Sequence, residues 1–102
     1  VDIMRHLECF LVVGEERHFG RAAERLGMEQ PPLSQRIRRL EKELEADLFD
    51  RSGGRVRLTP AGHVLMREAP DLLKRHRRMR ELVRRAAEAD PADPPRPWTE
   101  IY

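Results

Sequence analysis

The chain has 102 residues, enough for one small domain and too few for a second, since domains commonly run about 100 to 150 residues. With 39% hydrophobic, 5% aromatic and 37% charged residues, any core must be thin and aliphatic, of the kind that often leans on a partner chain. The formal net charge is only +2, so the placement of charge says more than its total: Arg51, Arg55 and Arg57 fall within residues 51–57 with no acid among them, and guanidinium forks suit phosphate and guanine geometry.

Cys9 is the single cysteine, so an internal disulfide is excluded. Its neighbours Leu7, Phe10, Leu11 and Val12 point to a buried thiol rather than a redox sensor, and a reducing, cytoplasmic setting is the expectation. There is no charged leader ahead of a long apolar run, and no apolar stretch approaches the ~20 residues of a spanning helix, so a soluble protein is expected.

In chain order, Ile3, Leu7, Phe10 and Leu11 recur at helical spacing, with Asp2 available as N-cap and Gly14 near the end, which predicts a first helix over residues 3 to 16. Phe19, Ala22, Ala23 and Leu26 predict a short second helix that Gly27 stops, glycine being the usual left-handed terminator. Pro31 and Pro32 then mark a turn and a fresh helix start, because proline disfavours helical geometry before it but tolerates the first turn. Leu33, Ile37, Leu40 and Leu44 line one face of that third helix, leaving Ser34, Gln35, Arg38, Arg39 and Lys42 on others.

Gly53-Gly54, between Arg51 and Arg55, predicts a tight hairpin, since adjacent glycines tolerate the positive φ such turns demand. Val56 and Leu58 alternate with arginines beyond it. The pair reads as a wing whose apolar side chains return to the core and whose arginines point away. Thr59-Pro60 is a strong helix start. The helix that follows, from residue 60 to about 88, carries Leu65, Ala69, Leu72, Met79, Val83 and Ala86 with His76 in the remaining slot, alternating steps of four and three that describe a coiled-coil seam. At 1.5 Å per residue it extends roughly 43 Å, too far for so small a domain to bury, so pairing with a second copy is expected. Pro70 should bend this helix locally without breaking it. Four prolines within residues 90–97 favour an extended linker, and Trp98–Tyr102 is left without an assignment.

Phe19-Gly20-Arg21-Ala22-Ala23-Glu24-Arg25-Leu26, Gln30-Pro31-Pro32-Leu33-Ser34-Gln35, Leu40-Glu41, Leu48-Phe49-Asp50-Arg51 and Leu58-Thr59-Pro60-Ala61-Gly62 stand in the order and spacing that resembles the LysR-type transcriptional regulators over residues 3 to 88. The resemblance implies a mainly α fold: a winged helix-turn-helix DNA-binding domain over residues 1–59, a linker and dimerisation helix over 60–89, and a proline-rich linker and tail over 90–102. It implies a homodimer on an interrupted inverted repeat, with a recognition helix in the major groove. Family members usually continue into a two-lobed effector-binding domain, absent from these residues; the expectation is a chain cut short of it, with no effector molecule assignable.

Carried over by position, Gln30, Pro31, Pro32, Ser34 and Gln35 match the start of the recognition helix. Glutamine can pair bidentately with adenine, serine can donate or accept, and a proline ring can lie against a thymine methyl. Arg38 and Lys42 suit phosphates, which set register and affinity but not sequence. Arg51 and Arg55 match the wing, suited to backbone or minor groove. Dimerisation is expected through Leu65, Leu72, His76, Met79 and Val83. Two positions depart from the family pattern. Glu29 stands where a serine commonly caps the recognition helix, though a carboxylate can also cap. Gly20 stands where threonine or serine is frequent, which leaves Arg21 as the phosphate candidate there.

The eight bases against three acids of residues 67–85 read as solvated flanks of the rod rather than a second DNA contact. His6, His18 and His63 are scattered and show no metal-ligand spacing, so neither metal nor cofactor is expected. No nucleophile stands beside a base, which argues against an enzyme. The competing reading is an interaction module that pairs with another regulator through the long helix without reading DNA.

Overall fold

The computed structural model describes residues 2–52 and 55–89. Helix α1 spans Ile3–Glu16, α2 Phe19–Leu26, α3 Gln30–Leu44 and α4 Pro60–Glu88; strands β1 (Phe49–Asp50) and β2 (Arg57–Leu58) lie between α3 and α4. The strands pair antiparallel, Phe49 opposite Leu58 and Asp50 opposite Arg57. The twin glycines between them, the proline-rich segment and the Trp98–Tyr102 tail lie outside the described residues.

Most helix ends follow local chemistry. Asp2 accepts the Arg5 amide at 3.2 Å to cap α1. Gly27 closes α2 with φ 66, the left-handed conformation that glycine adopts without strain. Thr59 Oγ1 accepts the Gly62 amide at 3.0 Å and donates to the Asp47 carbonyl at 2.6 Å, so one hydroxyl starts α4 and ties it to the segment after α3. Helix α1 ends at Glu16, where the spacing predicts, running past Gly14 and closing on Arg17, left-handed at φ 54 with its amide bonded to Val13. Gly14 is instead a buried helix residue against Met66 of α4. Glu45 ends α3 in the same conformation, also at φ 54.

One core joins every helix. Leu7, Phe10 and Val13 of α1 meet Ala22 and Ala23 of α2 and Leu33, Ile37 and Leu40 of α3; Leu48 and Phe49 close one side, and Ala69 and Leu73 of α4 close another. Phe49 stacks at 5.2 Å on Phe10 and meets Phe19 edge-on at 6.2 Å. Cys9 is fully buried in this cluster, and burial pushes its thiol pKa up, as suits a small apolar filler rather than a reactive group.

Helix α4 stays unbroken through Pro70, and its faces divide differently from a single seam. Gly62, Ala69 and Leu73 are buried against the domain, with Leu65 and Met66 packed on the same cluster. A Cβ at Gly62 would collide with the Leu48 carbonyl, so only glycine allows this approach. Farther along, Leu72, Met79, Leu82 and Val83 are about half exposed or more. The expected seam is thus divided: Ala69 is buried in the domain's own core with half-buried Leu65 packed against it, while Leu72, Met79 and Val83 remain outside and His76 is half-buried. Leu73 and Leu82, which fall outside the periodic pattern, belong to the inner and outer faces respectively.

Candidate nucleic-acid interface

The start of α3 owes its place to the proline pair and to the apolar row behind it. Leu33, Ile37 and Leu40 are sealed in the core, which forces the other faces outward. Gln30, Pro31, Pro32 and Gln35 are exposed, Ser34 is half-buried, and Arg38 and Lys42 are exposed farther along. Glu29 precedes the helix in extended conformation, but its side chain makes no cap hydrogen bond, so the capping role its carboxylate allows is corrected. The first-turn amides of α3 are left without that carboxylate, and the prolines remove two donors from the turn.

The wing arginines behave differently from one another. Arg51, though exposed, leans on the domain, its guanidinium 5.2 Å above the Phe19 ring and 3.6 Å from Glu41, whereas the wing reading has its arginines point away. Cation–π attraction and a partly covered carboxylate explain the turn inward. Arg55 and Arg57 are exposed. Asp50 Oδ1 accepts both the Ser52 hydroxyl at 2.6 Å and its amide at 2.9 Å, which holds the carboxylate below its ordinary pKa and shapes the departure from β1. Arg21 is already engaged: its guanidinium donates to the Glu16 carbonyl at 3.1 Å and sits 3.5 Å from the Glu16 carboxylate.

Two hollows flank this region. Arg38, Lys42 and Arg51 share one of about 560 Å³ with Glu41, Glu45 and Asp47, so its charge is mixed. The other, about 620 Å³, lies between the start of α2 and the wing, with Arg17, His18, Gln30, Arg55 and Arg57 in its wall and no carboxylate among the described lining residues. His18, which sequence reasoning passes over, caps α2 by accepting the Arg21 amide on Nδ1 at 3.0 Å. No cap propensity marks histidine; only the folded ring shows the role.

The region matched by the family described as bacterial regulatory helix-turn-helix protein, lysR family, is residues 4–63, which holds both hollows' helices and the strand pair. The chain belongs to the LysR family. It is 42% identical over 87 residues to the transcriptional regulator AlsR of Bacillus subtilis, covering 85% of this chain and 29% of that protein. It is 51% identical over 83 residues to the regulator ShiR of Corynebacterium glutamicum, covering 81% of this chain and 28% of that one. The chain therefore spans under a third of the length of these relatives. Among solved structures it resembles the BenM DNA-binding domain, in complex with the catB site 1 DNA, at TM-score 0.75 and 39% identity over 85% of this chain and 98% of that one; BenM is a regulator of Acinetobacter baylyi. The winged helix-turn-helix with its long following helix is the architecture of these LysR DNA-binding domains.

Among the described residues, no group of three or more histidine, cysteine or carboxylate side chains is placed to hold a metal, and no helix is long and apolar enough to cross a membrane.

Proposed function

We propose that this chain is the DNA-binding domain and linker helix of a sequence-specific transcription regulator that reads an interrupted inverted repeat as a homodimer, in the cytoplasm of a bacterial cell. The observation that carries the reading is the division of α3: its apolar row is sealed inside, and its polar start stands free on a scaffold of the LysR family, whose BenM member has been solved on DNA. In this reading Gln30, Pro31, Pro32, Ser34 and Gln35 face base edges in the major groove. Arg38 and Lys42 reach phosphates, and Arg55, with Arg51 nearer the domain, serves the wing side. Arg21 would have to leave Glu16 to join them. Leu72, Met79 and Val83, beside His76, form the apolar stripe for the second copy, with Leu65 contributing only at its margin.

Selection of bound sites from random duplexes, followed by affinity measurements on the selected site, tests the reading. Gln30→Ala and Gln35→Ala should flatten base preference, and Arg38→Ala should weaken all sequences alike. If roughly 6 to 10 phosphates are neutralised, affinity should fall about 10³- to 10⁵-fold between about 50 and 200 mM salt. A chain that enriches no sequence would overturn the proposal and favour a module that only pairs with another regulator.

A further inference from the structure

The hollow between α2 and the wing has a more specific use, which rests on the duplex reading above. Three separate parts of the chain supply its wall: Arg17 and His18 ahead of α2, Gln30 at the first residue of α3, and Arg55 and Arg57 along the wing. His18 Nδ1 accepts the Arg21 amide at 3.0 Å. A ring nitrogen that accepts carries no proton, so the neutral imidazole holds its proton on Nε2. The two nitrogens diverge across the ring, and the Nε2–H donor is therefore directed away from the backbone that Nδ1 caps.

Gly20 makes this posture possible. A Cβ there would lie 2.9 Å from His18 Cε1 and 3.2 Å from Nδ1, too close for a ring held by its own hydrogen bond. The same point lies 3.7 Å from Oε1 of Gln30, so one notch seats both the imidazole and the carboxamide of a proposed base reader.

We propose that His18 is a phosphate-positioning residue: while Nδ1 closes the start of α2, Nε2–H donates to a backbone phosphate of the duplex seated in this hollow beside Gln30, and Gly20 is the notch that permits it. Arg17, Arg55 and Arg57 supply the charge that draws the phosphate in, and His18 supplies a fixed direction. The hollow shared by Arg38, Lys42 and Arg51 is the poorer seat, because three carboxylates line it. Arg21, the sequence candidate for this role, is occupied by Glu16.

The test uses the selected duplex with single phosphates replaced by neutral methylphosphonates, one position at a time. His18→Ser keeps a hydroxyl cap but lacks the far donor; it should bind the unmodified duplex about ten-fold more weakly per subunit, while thermal unfolding stays close to that of the original chain. At one phosphate per half-site, the methylphosphonate loss should shrink by that same factor in His18→Ser. Gly20→Ala should weaken binding similarly and add nothing to His18→Ser in the double variant. Because a neutral donor displaces no counterion, His18→Ser should leave the salt dependence unchanged, whereas Arg55→Ala should lower its slope by about one for each phosphate it no longer neutralises. Equal methylphosphonate profiles for the original chain and His18→Ser would overturn the proposal, as would a reduced salt slope in His18→Ser. An original chain that selects no site would overturn the duplex reading itself.

Discussion

His6, on α1, faces Arg36 of α3 with 2% of its surface exposed. Arg36 Nη1 donates to its Nδ1 at 3.4 Å, and the buried Nε2 has no partner among the described residues. Burial lowers its pKa from 6.5, and the guanidiniums of Arg36 and Arg39 lower it further, against the weaker pull of Asp2 and Glu43. As pH falls, the unfolded chain takes up this proton before the folded one does. His6 therefore favours the fold fully above its ordinary pKa of 6.5, and stability should decline as pH drops below that value toward the folded pKa. Urea unfolding between about pH 7.5 and 5 checks this, and His6→Leu should lose that part of the slope; an identical slope in both chains would refute it. Asp50, lowered from 3.8 by Ser52, acts only in more acid solution and does not overlap. Glu45 offers a second measurement: a non-glycine residue at φ 54 carries a steric cost, and Glu45→Gly should raise unfolding stability by about 1 kcal/mol.

At the scale of elements, the wing is fastened by Glu41. Its Oε2 accepts the amides of Leu48 at 2.8 Å and Phe49 at 3.4 Å, and its Oε1 lies 3.6 Å from Arg51. Glu41→Ala leaves those donors unmet and should cost about 1 to 3 kcal/mol by urea unfolding, with Glu41→Gln in between; an alanine variant as stable as the original would sink the assignment. This clasp is not legible in the sequence, where Leu40-Glu41 serves only as part of a resemblance. The helices are legible wherever a side chain announces the end: Asp2, Gly27 and Thr59-Pro60 all act as their types suggest. Arg17 and Glu45 announce nothing, because each is an exposed, charged residue whose type gives no sign of the left-handed backbone with which it closes a helix. Alternating steps of three and four hide the division of α4, since Ala69 and Leu73 turn toward the domain while Leu72 and Met79, close in sequence, turn away. The candidate readers at the start of α3 are legible from the proline pair; the cap made by His18 and the inward turn of Arg51 depend on segments distant in the chain or on ring orientation, which no local pattern encodes.

The described residues measure 61 × 27 × 21 Å, a small head with α4 as its long axis. Its thin core already draws on the first turns of that rod, so pairing through the outer stripe should be separable from folding. Met79→Glu with Val83→Glu should turn a dimer into a monomer by sedimentation velocity, leave the thermal unfolding of the head nearly unchanged, and weaken binding to a two-half-site duplex far more than to a single half-site. Persistence of the dimer would place the pairing surface elsewhere.

The approach of Gly62 to the Leu48 carbonyl has a mechanical corollary. With no room for a side chain, and with Thr59 bridging Asp47 to the same turn, head and rod are fastened at two points within one turn. In the proposed dimer, a head held this way would turn with its rod, and the spacing two heads can span would be set by how the rods cross.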